Sequence, residues 1–305
     1  MSRKRQSRNV EHRAGHSSRT QSRHKENKTG HSSGGQNRKN RAGQQRTAGA
    51  GSKGCRKNKT FDIVSTIILL AAVCIFVFSA YKLVMTLVPY YVGGKEYDEI
   101  RDLAITADEN GEGFSVDFDA LLKENPDTVA WIRFEEPSVI SYPVVKSKDN
   151  EEYLTKTFTA NDNKLGAIFM DMNCNSGFTD RNTFIYGHHL NSGGEMFSQL
   201  DEYADESFCK EHPYFYIYTP DGKVRTYQVF SAAVVSATGE NYNITYPTEA
   251  DYEAYLELCR ETSNYAVDVE LNAQSKIVSL STCTNVNDAE RFLVQGVLVE
   301  EAGGE

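Results

Sequence analysis

Near the end of the chain a cysteine closes one β-type run, Ser279-Leu280-Ser281-Thr282-Cys283, and Arg291 opens the next. Two antiparallel neighbours joined through residues 284–290 place the end of one beside the start of the other. Cys283 and Arg291 therefore share one rim of a sheet. A guanidinium beside a thiol favours the thiolate, and its fixed N–H groups can also hold an oxyanion forming on an attacked carbonyl. Such chemistry needs a base. Beyond residue 60 the histidines are His188, His189 and His212. His188 follows the strand-like run Thr183-Phe184-Ile185-Tyr186-Gly187, which puts it on a rim with residues 191–195 behind it. A Cys/His pair drawn from distant positions suits nucleophilic catalysis. Spacing alone leaves a rival arrangement, with Cys283 buried and His188 on the surface. His189 is expected on the other side of the backbone, and His212, before Pro213, reads as a surface residue flanking a hairpin.

Short strands dominate the elements that must carry these residues. Tyr214-Phe215-Tyr216-Ile217-Tyr218, then Pro220-Asp221-Gly222, then residues 224–235 form a hairpin whose Asp-Gly supplies positive φ angles. Further β-type runs are Trp131-Ile132-Arg133-Phe134 and residues 141–145, 166–170, 183–186, 276–281 and 292–300. One long helix interrupts them over 248–262, with Thr248 as N-cap and Tyr252, Tyr255, Leu256 and Cys259 on one face. A short helix is expected over 99–107. Another starts near Asp117, carries Phe118, Leu121 and Leu122, and stops at Asn125-Pro126. The sum is a mostly β protein, a closed or nearly closed barrel with a few helices.

Charge divides the 305 residues into unlike parts. Residues 1–60 hold 17 Lys and Arg against 2 Asp and Glu, whereas residues 90–305 hold 15 against 39. The first 60 residues contain no Leu, Ile, Phe, Trp or Tyr. Nothing there can offset the entropy of ordering a backbone, so this segment reads as a disordered tail. Residues 61–81, FDIVSTIILLAAVCIFVFSAY, carry one charge, Asp62, and as a helix measure about 31 Å, the thickness of a bilayer's hydrocarbon. The stretch is longer than the core of a cleaved signal peptide and reads as a transmembrane anchor. Lys53, Arg56, Lys57 and Lys59 precede it, so the N-terminus is expected in the cytoplasm and the acidic remainder outside. The expected organisation is a basic cytoplasmic tail over 1–60, a signal-anchor helix over 61–88 and an extracellular domain over 89–305. The tail reads as a solvated topogenic segment with no specific nucleic-acid partner expected, and electrostatic holding of anionic lipid or nucleic acid is the alternative.

Of the six cysteines, Cys55 and Cys74 fall before or within the anchor, leaving Cys174, Cys209, Cys259 and Cys283 in the outer domain. They are too sparse for a disulfide scaffold and show no metal-site spacing, which leaves room for a working thiol. Asp162, Asn163, Asp171 and Asn173 hint at a cation site, but their irregular spacing reads as solvated loop.

Together these residues resemble a known family. Asn182-Thr183-Phe184-Ile185-Tyr186-Gly187-His188, the Ser-Leu-Ser-Thr-Cys run ending at Cys283, and Arg291 are similar to the His, TLxTC and Arg motifs of sortases, with Ser279 in place of the first Thr. Tyr142-Pro143-Val144-Val145, Asp149-Asn150, Tyr153-Leu154, residues 166–171 and Met196-Phe197 resemble segments of class B, as does the 119–131 region. The helix over 248–262 resembles the insertion before the penultimate strand that separates class B from class A. The resemblance spans roughly residues 95–300. It implies a sortase-like closed barrel with N-terminal helices, and a membrane-anchored cysteine transpeptidase of Gram-positive bacteria. Its implied catalytic residues are His188, Cys283 and Arg291, with no cofactor and no metal. Its implied partners are secreted proteins bearing a C-terminal sorting signal, cleaved after Thr, and an amine of a peptidoglycan precursor. A secreted cysteine protease and a non-enzymatic tethered binding barrel remain the alternatives.

Overall fold

A stripe of small and apolar residues fixes how the barrel meets its N-terminal helix. In the computed structural model, which describes residues 59–107, 113–190, 194–283 and 289–304, α1 (Lys59–Ala104) is one helix of 46 residues. From Phe61 to Val88 its large apolar side chains are exposed, Tyr90 is half-buried against the core, and its first buried residue is Gly93. Gly93, Tyr97, Ile100 and Ala104 recur at helical spacing and pack on the barrel. A Cβ at Gly93 would lie 2.7 Å from Leu165 Cδ2, so only glycine admits that loop to the helix surface. The tail expected over 1–60 lies outside the described residues up to position 58.

The helix expected over 99–107 is instead the last turn of α1, followed by β1 (Ile105–Ala107), which pairs antiparallel with β2 (Phe114–Val116). Pro89 removes one backbone donor without ending the helix, because packing beyond Gly93 stabilises the turns that follow. The next helix, α2 (Phe118–Glu124), starts where its sequence says: the Asp117 carboxylate accepts from Ala120 N at 2.9 Å. It ends at an extended Asn125.

Eight strands then close a barrel: β3 (Thr128–Phe134), β4 (Ser141–Val145), β5 (Ile168–Met170), β6 (Asn182–Gly187), β7 (Tyr214–Tyr218), β8 (Lys223–Ser236), β9 (Ile277–Cys283) and β10 (Glu290–Gly303). Their order around the wall is β10-β8-β7-β3-β4-β5-β6-β9, with β4–β5 and β6–β9 parallel and the other pairs antiparallel. Trp131, Phe184, Phe215 and Leu280 are fully buried in the core, where truncating a large aromatic costs about 3–5 kcal/mol. The Trp131 indole N–H donates to Ser141 Oγ at 3.0 Å, which satisfies the one polar atom that residue brings inside.

Burial along β8 alternates at first and then becomes continuous from Val229 to Ala233. The cause is α4 (Glu249–Thr262), which covers the outer face of that stretch. Tyr252, Tyr255, Leu256 and Cys259 of α4 pack with Phe230, Ile277 and Val297 in a second apolar cluster. A capping box starts this helix: Thr248 Oγ1 accepts from Asp251 N at 3.1 Å, and Asp251 accepts from Thr248 N at 2.9 Å. The helix lies between β8 and β9, hence before the penultimate strand, as expected. The chain also forms α3 (Glu206–Glu211) and a short helical run over Ser198–Ala204, neither of which its sequence announced.

Candidate active site

Three strand ends meet at one end of the barrel. β6 runs parallel to β9 with Gly187 opposite Thr282, and β10 runs antiparallel to β9 with Arg291 opposite Cys283. The backbone of His188, one residue beyond Gly187, thus reaches the same rim as Cys283 and Arg291. Long-range pairing of β6 with β9 joins residues about 95 apart in sequence, which no local signal specifies. The link at residues 284–288 lies outside the described residues.

A cavity of about 260 Å³ opens on this rim, lined by His188, Arg291, Thr282, Ser281, Leu154 and Tyr242 among others. Arg291 is half-buried, and its Nη1 donates to the Glu290 carbonyl at 2.8 Å. His188 is also half-buried, with Nε2 2.7 Å from the Leu154 carbonyl. A carbonyl only accepts, so this contact assigns the hydrogen to Nε2 and leaves Nδ1 as the basic position of the neutral ring. His189 turns the other way, as strand alternation predicts. Its Nε2 sits 2.8 Å from Asp201 Oδ2, and its side chain is 8% exposed. His212 is the C-cap of α3 and packs at a tilt against Phe208, with ring centroids 4.8 Å apart. It stands before β7, away from the rim.

Cys174, Cys209 and Cys259 are buried and unpaired by disulfides. Burial pushes Cys174 and Cys259 up to about 11 and raises Cys209 as well, so none forms a thiolate readily near neutral pH.

Several contacts within the site had no signal in the sequence. Asp171, expected as part of a solvated loop, is 6% exposed. It accepts from the Tyr186 hydroxyl at 2.9 Å and from Asn150 Nδ2 at 2.8 Å, both cavity-lining residues. Burial first, then the Asp171 charge, pushes the Tyr186 hydroxyl far above its ordinary range, so it stays a donor. Tyr242 and Ser281, also in the lining, are joined through their hydroxyls at 2.7 Å. Asp171 could have been flagged only by knowing that β5 ends beside β6. Among the described residues no three His, Cys, Asp or Glu side chains cluster as a metal site.

A cysteine at one strand end, an arginine opposite it on the ladder and a histidine just past the parallel neighbour bring to one rim the residue types that acyl transfer through sulfur uses. Comparison with known proteins gives that chemistry its family. The sortase domain matches residues 136–299. Sortase B of Listeria monocytogenes is 33% identical over 233 residues, covering 74% of this chain and 92% of its own. The crystal structure of sortase B from B. anthracis in complex with AAEK1 superposes with a TM-score of 0.61 at 29% identity, covering 70% of this chain and 99% of that one. A Staphylococcus aureus sortase B-substrate complex matches with a TM-score of 0.56 at 29% identity, over 60% of this chain and 84% of that one. The chain belongs to the sortase family of cysteine transpeptidases, and within it to class B.

Proposed function

We infer that Cys283, His188 and Arg291 carry the transpeptidase reaction on the C-terminal sorting signals of secreted proteins. The observation that supports this most is the register that sets Cys283 opposite Arg291, a residue lining the rim cavity. Backbone pairing brings the strand end that carries the thiol beside a residue of the cavity. The thiolate of Cys283 attacks the carbonyl of a Thr in the signal. Arg291 donates N–H groups to the oxyanion that forms, and the imidazolium of His188 gives its Nδ1 proton to the departing amine as the C–N bond breaks. The product is a thioester on Cys283. An amine of a peptidoglycan precursor then attacks it, forming a new amide while the C–S bond breaks. The proton of that amine passes to His188, which restores the starting pair.

The apolar part of α1 is long enough to cross a membrane, and its large side chains are exposed all the way to Val88. This supports anchoring in the cell membrane with the barrel outside and the basic tail inside. Enzyme, sorting signal and lipid-linked precursor would then share one surface. The cargo reading also draws on the S. aureus sortase B named with its substrate.

The deciding experiment incubates the full-length protein with a library of Thr-containing C-terminal peptides, with and without triglycine as amine. A new amide product that appears only with the amine supports transfer. Hydrolysis at one rate in both arms makes the protein a protease, and no thioester on Cys283 with any peptide makes it a binding barrel.

A further inference from the structure

His188 rests on a support that begins in α1. Its Nε2–H is held by the Leu154 carbonyl, and its ring edge lies against Gly166. There φ is +64°, and a Cβ would come within 2.6 Å of His188 Cδ2. Leu154 and Gly166 bound one closed loop, with Ala167 N donating to Tyr153 O at 3.0 Å and Asn163 N to Thr155 O at 2.8 Å. The imidazole is therefore seated on the mouth of that loop.

What fixes the loop is a turn of the long helix. Tyr97, 1% exposed, donates its hydroxyl to Gly166 O at 2.8 Å and accepts from Phe158 N at 3.1 Å. The preceding residue, Glu96, accepts from Thr159 N at 3.1 Å and from Thr157 Oγ1 at 3.0 Å. Farther down the helix, Asn163 Nδ2 donates to Pro89 O at 2.9 Å. Each of these bonds joins α1 to the loop, and Tyr97 alone reaches the peptide that touches the imidazole.

We propose that Tyr97 is a positioning residue for His188, acting through the loop over 154–166. By holding Gly166 and Phe158 it holds the Leu154 carbonyl where it keeps hydrogen on Nε2, so that proton exchange in the reaction runs through Nδ1. With the loop loosened, the ring turns or changes tautomer and offers the wrong nitrogen. The proposal rests on the reading of His188 as the acid and base.

The test is Tyr97→Phe in the full-length protein, compared with Tyr252→Phe. Both keep the ring and delete a hydroxyl with two backbone contacts, since Tyr252 donates to Arg181 O at 2.8 Å and Ser275 O at 2.9 Å at the far end of the barrel. On the best peptide of the library, Tyr97→Phe should lower kcat about tenfold or more and leave KM within about twofold. Ring ¹⁵N signals of labelled His188 should shift from one Nε2–H tautomer to a mixture. Tyr252→Phe should leave kcat and those signals at wild-type values, whatever its melting temperature. Equal kcat in the two variants with an unchanged tautomer overturns the positioning role. His188→Ala is measured alongside: turnover that survives it overturns the reading of the reaction itself, whereas its loss beside wild-type turnover in Tyr97→Phe overturns only the role of Tyr97.

Discussion

The two ends of the β6–β9 ladder are built from the same pair of strands and use polar residues in opposite ways. At the far end Asn182, Ser279 and Gln295 are buried and satisfy one another. Ser279 Oγ donates to Asn182 Oδ1 at 2.8 Å, and Gln295 Nε2 donates to Ser279 Oγ at 2.9 Å and to the Tyr255 hydroxyl at 3.2 Å. Tyr255 in turn donates to Asn241 O at 2.8 Å, which ties α4 into the network. At the rim, only four residues and roughly 13 Å along the strand from Ser279, His188 and Arg291 are half-buried and line a cavity. A closed network specifies packing and resists change, because each member removed strands a buried partner. The rim instead borders a cavity that a reacting group could enter. In the proposed reading, stability and activity are separated along these strands.

The sharpest way to break that separation is Cys283→Ala. It should abolish thioester formation and product entirely while the melting temperature stays at the wild-type value, as mass spectrometry and calorimetry would record. Cys209→Ala should keep activity, since a buried thiol with a raised pKa takes no part. Next comes Arg291→Lys, which keeps the charge and loses the planar fork. Turnover should fall about a hundred- to a thousandfold in steady-state kinetics, and near wild-type rates would reduce Arg291 to an electrostatic neighbour. His188→Ala should cost at least about a hundredfold, with His189→Ala far milder; the reverse order would mean that the histidine beside Asp201 faces the chemistry. The smallest effect on rate belongs to the far end. Gln295→Leu should lower stability by about 1–3 kcal/mol in urea unfolding and leave kcat per folded molecule unchanged. A matching loss of kcat would show that the two ends are coupled.

Local chemistry made parts of this arrangement readable in advance. Asp221-Gly222 announced the β7–β8 hairpin, Thr248 and Asp251 announced α4, and the order of a cysteine and an arginine around one link announced their pairing. Barrel closure followed from the run of short strands. The placement of His188 needed more, because the β6–β9 pairing is parallel and joins distant positions; the strand end put it on a rim, and the family resemblance singled it out. The burial of Asp171 and the reach of Tyr97 to Gly166 had no signal, since each depends on three elements meeting. The anchor helix was expected over 61–88, and Pro89 and Gly93-Gly94 follow that stretch. In the fold the helix runs through them, because Gly93 lets Leu165 close on its surface and tertiary contact outweighs local propensity.

That unbroken helix has a mechanical consequence. At 46 residues α1 is a rod of about 69 Å, and Pro89, Glu96 and Tyr97 bond the barrel to its upper half. In the proposed anchoring no break in the helix separates the bilayer from the cavity, which limits how far the rim can move toward or away from the lipid. A signal too close to the lipid or too far above it would miss the cavity whatever its sequence. The distance between a secreted protein's own hydrophobic tail and its scissile Thr then acts as a ruler, and spacer length becomes a determinant of selection alongside the residues that are read.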